Sequence, residues 1–484
     1  MKFKLTFCQI ILALGCASFT YGQVNSYPTE VSSKIEKVEN SLMNWAQTPD
    51  TLLRWNIEER MMSHKVNGVS IAVIHNSKIH WAKGYGWANV GEKRKVTPHT
   101  LFQAASISKS ISAIGILKLV EDKKIDIDND INQYLSSWKF PYDSITKTKK
   151  ITLRNLLNHS AGLSVSGFPG YFITDSIPTI LQILDGTQPS KTPAVRSELE
   201  PGIQYQYSGG GICITQLIIT DVTNQPFEKY MQNSVLKPLG MNESFFIQPP
   251  PIEKKELLAT AYNRDGSEVP GKYCIYPELA AGGLWTTPTD LAKYIVETQL
   301  SLLGKSSKVL SPEMTKIRLT PFDGYSALGV YLHKEGRYFE FSGGNYGFTS
   351  VYWADISNGN GVVIMTNSAN IEIISEITNS VAVAYQWDDF YKPEIKNVVS
   401  VSDSILDSYV GDYLFGDKII SIIQKNNKLF TVEDCPWELY FTSESDFFIS
   451  EFESNMKFQH DSDGNVTGIL DLNSGRTASR IMKE

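Results

Sequence analysis

Cysteine is scarce in this chain, with five residues among 484. The five are Cys8, Cys16, Cys213, Cys274 and Cys435. Two of them lie close to the N-terminus, and the odd number that remains shows no CxxC spacing. The sequence therefore encodes neither a disulfide framework nor a zinc site of the usual ligand spacing.

Blocks of like charge are absent as well, since 45 Lys+Arg and 52 Asp+Glu are spread along the chain for a formal net charge of −7. Nucleic-acid binding requires a basic face, so we predict no nucleic-acid partner. The sequence also lacks the HExxH metal motif, the Walker phosphate loop and a GxGxxG turn after a strand. We accordingly predict no metal and no cofactor. The segment Gly162-Leu163-Ser164-Val165-Ser166 fails the GxSxG nucleophile elbow at its last position, which argues against an α/β-hydrolase.

Long apolar runs are rare, and the longest extends from Leu5 to Ala17 with two polar interruptions. Lys2 and Lys4 precede it and small residues follow it, which is the pattern of a secretory signal peptide. The run is shorter than the roughly 18 residues that a membrane span needs, although a single N-terminal anchor is the alternative. No later segment is long and apolar enough to cross a bilayer, so we expect no transmembrane segment after signal removal.

The expected cleavage point follows Gly22, with Thr20 two positions earlier. Residues 1–22 would then be the signal and Gln23 the first mature residue. Cys16 offers a lipoprotein alternative, but the tetrad that ends at it is a poor lipobox because its leucine sits one place late. We expect an exported protein, periplasmic or secreted.

The order of strand and helix signals predicts one sheet assembled from both ends of a domain. Residues 69–75 and 79–86 are β-rich runs around a short turn, which predicts a hairpin. A mainly helical middle third follows, strands return beyond Tyr325, and a helix is predicted over 371–386. We predict an α/β fold of the α+β sandwich kind over residues 23–395, with an antiparallel sheet flanked by helices and a helical insertion.

The tail has a different character, because short alternating runs separated by turns at Asn426-Asn427 and Asp463-Gly464 predict strands without helices. We predict a small antiparallel, barrel-like β domain over residues 400–484. The strands expected in it are 418–424, 428–432, 447–450, 456–459 and 467–472.

The strongest chemical candidate is Ser106-Ile107-Ser108-Lys109, where a helical pattern begins. The apolar residues predicted to share one face of that helix are Ile107, Ile111, Ile114, Leu117 and Val120. A serine at a helix N-terminus and a lysine three residues later lie on the same face of the first turn. A serine hydroxyl becomes nucleophilic when a neighbouring base accepts its proton, and lysine can be that base. The bare SxxK spacing occurs four more times in the chain, so its context must decide.

That context is specific. Phe102-Gln103-Ala104-Ala105-Ser106-Ile107-Ser108-Lys109 resembles the active-site segment of the serine β-lactamase and penicillin-binding protein superfamily. Ile151–Leu163 resembles the "TLRxLLxHxSGL" stretch of its class C β-lactamase and D-alanyl-D-alanine carboxypeptidase/esterase branch. Further stretches that resemble this branch are 201–209, 236–241 and 281–292. The resemblance covers roughly residues 55–390 and implies a β-lactamase/transpeptidase-like fold.

The resemblance also implies residue roles. Ser106 would be the acylated nucleophile, Lys109 the residue that helps to activate it, and Tyr207 the tyrosine that passes a proton between the serine and the leaving group. Tyr205, two residues earlier, is the alternative tyrosine. The branch usually carries Tyr-x-Asn here, and Gly209 replaces the asparagine. We interpret this as a change of substrate, with Gly209 at a substrate-binding position.

The third motif of the branch, Lys-Thr-Gly or His-x-Gly on a strand, corresponds to Phe341-Ser342-Gly343. We predict that Ser342, Gly343 and Gly344 contact substrate, because glycine lets a strand approach a ligand closely. The N–H groups of Gly344 and Ser106 would form an oxyanion hole.

No basic residue stands at position 341, which should weaken the binding of a substrate carboxylate. His333, Lys334 and Arg337 precede it and are candidates to supply the missing charge. His159, in the "TLRxLLxHxSGL" stretch, is either a general base or a structural residue, and its place after a helix favours the structural role.

We predict an exported serine hydrolase that acts through an acyl-enzyme on a peptide, amide or ester bond. The expected partner is a small-molecule or peptide substrate, such as a D-amino-acid peptide, an ester or a β-lactam-like compound. The alternative is a catalytically weak or inactive β-lactamase-fold protein that binds a ligand. The oligomeric state does not follow from the sequence.

Overall fold

A computed structural model describes residues 27–49, 54–416, 418–432, 436–451 and 453–481. The predicted signal peptide, its cleavage point and Cys435 lie outside these ranges. Cys213 and Cys274 are free and buried.

Helices and strands are mixed in most of the chain, and strands dominate the tail. The helices of the described residues are α1 Thr29–Glu39, α2 Ile57–Ser63, α3 Ile107–Glu121, α4 Leu153–Leu157, α5 Ile180–Asp185, α6 Gly209–Thr223, α7 Phe227–Met231, α8 Lys237–Leu239, α9 Leu279–Gly282, α10 Pro288–Leu302, α11 Pro312–Arg318, α12 Glu372–Ala384 and α13 Asp403–Tyr409. Within the described ranges, none of the helices combines the length and the apolar character that crossing a membrane requires.

The strands fall into two groups, one on each side of position 400. Those of the first group are β1 Ala46–Gln47, β2 Gly68–His75, β3 Lys78–Asn89, β4 Arg94–Lys95, β5 Phe102–Gln103, β6 Trp285–Thr286, β7 Ser326–Ala327, β8 Val330–His333, β9 Tyr338–Asn345, β10 Phe348–Asp355, β11 Gly361–Thr366 and β12 Glu394–Ile395. Those of the second are β13 Gly411–Phe415, β14 Lys418–Lys425, β15 Lys428–Thr431, β16 Glu438–Phe441, β17 Asp446–Ile449, β18 Met456–His460, β19 Val466–Asp471 and β20 Thr477–Arg480.

The main sheet has eight strands in the order β4-β3-β2-β11-β10-β9-β8-β7. Every neighbouring pair is antiparallel, and β2 pairs with β11, so both ends of the domain meet at the centre. The predicted hairpin is confirmed, and its turn residues Asn76 and Ser77 have φ of 53° and 54°, as the tight turn of a hairpin requires. The predicted fold class is confirmed.

Hydrophobic cores lie on both faces of this sheet. Ile71 and Val73 of β2 pack with α1, α2 and α12, whereas Ala72 and Ile74 face the helical insertion. Helix α3 lies in the second core, and its residues from 107 to 117 are all buried. The expectation of a helix with one apolar face is therefore wrong, because protein packs against α3 on its polar side as well. Its Ser110 hydroxyl, for example, is buried and donates to the Gly329 carbonyl at 2.7 Å.

The tail forms a closed antiparallel barrel of strands β13 to β20, in which β13 pairs with β20. Its core includes Tyr409, whose ring stacks on that of Phe458 at 3.7 Å between centroids. The five predicted strands are present within one or two residues of their predicted ends, and β13, β16 and β20 were not predicted individually. The barrel domain is confirmed, and its boundaries at 395 and 400 stay predictions.

Candidate active site

Ser106 lies at the N-terminus of α3, where the chain turns sharply out of β5. Ala105, the residue before it, has a φ of +49°, a left-handed conformation that is costly for a residue with a side chain. The Ala104 N–H donates to the Leu284 carbonyl at 2.9 Å, and the Ala104 carbonyl accepts from the Ser350 hydroxyl at 2.9 Å. The segment before the predicted nucleophile is thus held on both sides.

Lys109 follows one turn later and is buried, with 3% of the residue exposed. Its Nζ donates to Ser106 Oγ at 2.9 Å and to the Ala281 carbonyl at 2.7 Å. Ala281 begins the 281–292 stretch, and the Leu284 N–H of that stretch donates to the Ser108 hydroxyl at 3.0 Å. These contacts explain why the 281–292 sequence accompanies the SxxK tetrad, since it fixes the lysine and the first turn of α3.

Tyr207, just before α6, also contacts Ser106. Its OH donates to Ser106 Oγ at 2.9 Å, and Lys109 Nζ lies 5.2 Å from the centre of its ring. The OH of Tyr205 pairs instead with the OH of Tyr331 at 2.8 Å. The geometry thus brings the three predicted catalytic residues together and leaves the alternative tyrosine outside the cluster.

His159 holds the chain on both sides of Tyr207. Its carbonyl accepts from the Gln206 N–H at 2.7 Å, and its ring Nδ1 accepts from the Ser208 N–H at 3.3 Å. The His159 ring is 4.5 Å from that of Tyr207, and no hydrogen bond joins it to Ser106 within the described residues. Burial, together with the charge of Lys109, lowers the pKa of His159 to about 3. A neutral ring that anchors main-chain groups fits the structural role.

Strand β9 passes against the start of α3. A Cβ added to Gly343 would lie 2.4 Å from the Ala104 carbonyl oxygen and 2.8 Å from the Ser106 nitrogen, so only glycine allows this approach. A Cβ on Gly344 would meet nothing within 4 Å, and Ser342 is exposed. Together with Ser106, the residues predicted on this strand line one cavity, as its lining includes Ser342, Gly343 and Gly344.

Gly209 has a different environment from the one predicted. It begins α6 and is buried, and a Cβ there would lie 2.9 Å from the Phe168 ring and 3.0 Å from the Ser166 carbonyl oxygen. It is not among the residues that line the cavity. The asparagine of the usual motif would collide with this loop, so the glycine matches a local packing requirement.

Phe341 is buried where the branch usually has its basic residue. Its ring stacks on Tyr331 at 4.9 Å, and Tyr331 stacks on Tyr325 at 4.6 Å. Tyr331 and Phe341 line the cavity and form its aromatic wall, with Tyr325 stacked behind them. No sequence motif indicated this stack.

The candidates for the missing charge differ in position. Arg337 is paired with Asp355 at 3.0 Å, so its charge is already neutralised. His333 and Lys334 line the cavity, and His333 lies 3.2 Å from Glu340. No hydrogen bond or ion pair among the described residues links any of these basic groups to Ser106 or Tyr207.

The cavity has a volume of about 920 Å³, and Ser106 and Tyr207 are among the residues that line it. Its lining also includes residues of β9, β10, α12 and the barrel. This volume is typical of a site for a drug-sized ligand. Among the described residues there is no group of three or more His, Cys, Asp or Glu that could hold a metal ion.

Comparison with known proteins agrees with the fold. Residues 53–372 match the family model described as Beta-lactamase. The match includes most of the sheet domain and all of the predicted catalytic residues. The chain therefore belongs to the beta-lactamase family.

Curated proteins that are similar in sequence include two from Staphylococcus aureus. Protein flp of Staphylococcus aureus (strain N315) is 28% identical over 57% of this chain and 50% of its own length. The teichoic acid D-alanine hydrolase of Staphylococcus aureus is 26% identical over 55% of this chain and 61% of its own length. The chain thus spans about half to three fifths of the length of these relatives.

A solved structure covers more of the chain. The octameric penicillin-binding protein homologue from Pyrococcus abyssi superimposes with a TM-score of 0.62 at 22% identity, over 88% of this chain and 97% of that one. The likeness supports the fold, including part of the tail beyond the family match.

Proposed function

We propose that this protein is an exported serine hydrolase in which Ser106 forms an acyl-enzyme with an ester or amide substrate. The observation that carries the proposal is the convergence of Lys109 Nζ and Tyr207 OH on Ser106 Oγ, each at 2.9 Å. A nucleophilic serine requires such a base within hydrogen-bond distance.

In the proposed reaction, Ser106 Oγ attacks the substrate carbonyl carbon while its proton passes to the Lys109 and Tyr207 pair. The N–H groups of Ser106 and Gly344 stabilise the oxyanion. Collapse of the intermediate breaks the bond to the leaving group, which takes a proton from Tyr207. Water then attacks the acyl-enzyme by the same route in reverse, releasing the acid and restoring the Ser106 hydroxyl.

We infer the substrate class from the name of one relative and from the aromatic residues beside Ser106. One relative is named teichoic acid D-alanine hydrolase, so an ester-linked D-amino acid is the substrate we favour over a D-amino-acid peptide or a β-lactam. Such an ester carries an ammonium and no free carboxylate on the acyl side. The aromatic wall at Phe341 suits that substrate, because an ammonium group is attracted to aromatic rings and position 341 carries no basic side chain for a carboxylate.

The test is intact-mass spectrometry of residues 23–484 after exposure to a fluorophosphonate and, separately, to a penicillin. We expect one fluorophosphonate adduct, absent from the Ser106→Ala variant, and little or no penicillin adduct. A folded protein that forms no adduct with either reagent would contradict the proposal.

The second candidate is a ligand-binding protein of the same fold with weak or no catalysis. The buried Phe341 favours it, because the cation usual at that position is missing. Substitution Phe341→His restores the His-x-Gly pattern. A variant that gains an adduct that the parent lacks would support this candidate, and equal labelling of both would support the hydrolase.

A further inference from the structure

The cavity at Ser106 continues well beyond the reacting groups. Its lining includes Trp437, Glu451 and Glu453, all of which belong to the barrel. An acyl group of one amino acid would fill only part of its volume of about 920 Å³. The remaining space is available to the rest of a longer substrate.

The barrel is held in place beside this space by defined contacts. The Trp45 indole N–H donates to the Ile449 carbonyl at 2.8 Å, and the Asn44 amide donates to the Ser450 hydroxyl at 2.9 Å. Lys396, in the connection between the domains, lies over the Trp45 ring at 5.2 Å. Because Glu451 follows Ser450 directly, these contacts position it at the cavity.

The charges at the barrel end are acidic. Glu451 is half-buried, and burial raises the pKa of its carboxyl. Arg60 and His64 attract this carboxylate, and both are already bonded to Glu376, at 2.8 and 2.9 Å. Glu453 is exposed and lines the same wall, and no ion pair to it occurs within the described residues.

The basic side chains that line the cavity lie elsewhere. Arg264 is paired with Glu372 at 3.0 Å, and Lys334 lies in the turn between β8 and β9. His333 lies beside Glu340. Within the described ranges, no hydrogen bond or ion pair joins Glu451 or Glu453 to a cation. The indole of Trp437 and the rings of Phe390 and Tyr391 also line the cavity. Carboxylates beside aromatic faces are the surroundings that bind ammonium groups.

We propose that Glu451, Glu453 and Trp437 form a subsite for an ammonium group of an extended substrate whose ester or amide bond reacts at Ser106. The proposal rests on the proposed function for the identity of the ligand as substrate. It makes the barrel a specificity domain, which selects substrates by a positive charge remote from the reacting bond.

The experiment measures binding to the Ser106→Ala variant, which cannot be acylated at that position, by calorimetry. The probes are esters with short, medium and long methylene spacers that end in a primary ammonium, each paired with a neutral isostere that ends in a methyl group. At one spacer length we expect the ammonium ester to bind about tenfold more tightly than its isostere. In a variant that also carries Glu451→Gln and Glu453→Gln, we expect the ratio to fall to below about twofold.

Glu444→Gln is the matched control, because Glu444 is an exposed acid of the same barrel that does not line the cavity. It should keep the tenfold ratio. Equal binding of ammonium and neutral esters at every spacer length would overturn the subsite, as would a ratio unchanged by the double substitution. Turnover by the unsubstituted protein is scored separately, so loss of the subsite and loss of the hydrolase function are distinguishable.

Discussion

The two ends of the cavity are built in contrasting ways. At the Ser106 end, the polar groups are held by groups of the sheet domain: Lys109 bonds to the Ala281 carbonyl, and the chain on both sides of Tyr207 bonds to His159. At the barrel end, Glu451 and Glu453 belong to a surface segment anchored by two hydrogen bonds to Asn44 and Trp45. The reacting geometry is thus a property of the core, while the surface that faces the rest of the substrate belongs to a separate domain. Substitutions at the Ser106 end should therefore change the rate of the reaction, and substitutions at the barrel end should change which substrates are bound.

The largest effect is expected from Tyr207→Phe, which removes the hydroxyl bonded to Ser106 Oγ and retains the ring. We expect kcat/KM for a small ester to fall about 10²- to 10⁴-fold, because proton transfer loses its partner. Tyr205→Phe is the matched control, since it removes only the bond to Tyr331, and should cost less than about tenfold. Steady-state hydrolysis measures both. Equal losses in the two variants would contradict the assignment of Tyr207.

The next effect concerns the two glycines of β9. Gly343→Ala forces a methyl to within 2.4 Å of the Ala104 carbonyl, so the strand must move away from Ser106. We expect an acylation rate about 10- to 100-fold lower in a folded protein, because small displacements of reacting groups are costly. Gly344→Ala retains the N–H and meets no atom within 4 Å, so its rate should change less than about threefold. The reverse order in stopped-flow labelling would show that β9 does not set the position of Ser106.

A separate effect, on stability and not on rate, involves His159. Its pKa is lowered from 6.5 to about 3 in the folded protein, so acid protonates the unfolded chain first. The stability it contributes is therefore present above pH 6.5 and is lost as the pH falls from 6.5 towards 3, by about 1.4 kcal/mol at most per pH unit.

His159→Asn should flatten that dependence, because asparagine accepts the left-handed φ of 57° and does not titrate. Urea unfolding at a series of pH values measures it. If the free energy of unfolding depends on pH as steeply in the His159→Asn variant as in the parent protein, another group causes that dependence.

Local patterns predicted much of this molecule. The β2–β3 hairpin follows from its turn and its β-branched residues, and the Ser106, Lys109 and Tyr207 cluster follows from motif context. What could not be predicted depends on distant contacts. The left-handed Ala105, the packing of Gly209 against Phe168 and the barrel wall of the cavity each arise from segments far apart in the chain, which no local periodicity encodes.

The pairing of β2 with β11 also has a consequence for synthesis. Residues 68–75 must wait for residues 361–366 before the centre of the sheet can close. Contacts of such long sequence separation slow folding, because a large loop has to be ordered first. We therefore expect the emerging chain to stay open until nearly the whole sheet domain has been made. A protein truncated before Gly361 would lack the central strand and expose the edges of β2 and β10 to aggregation.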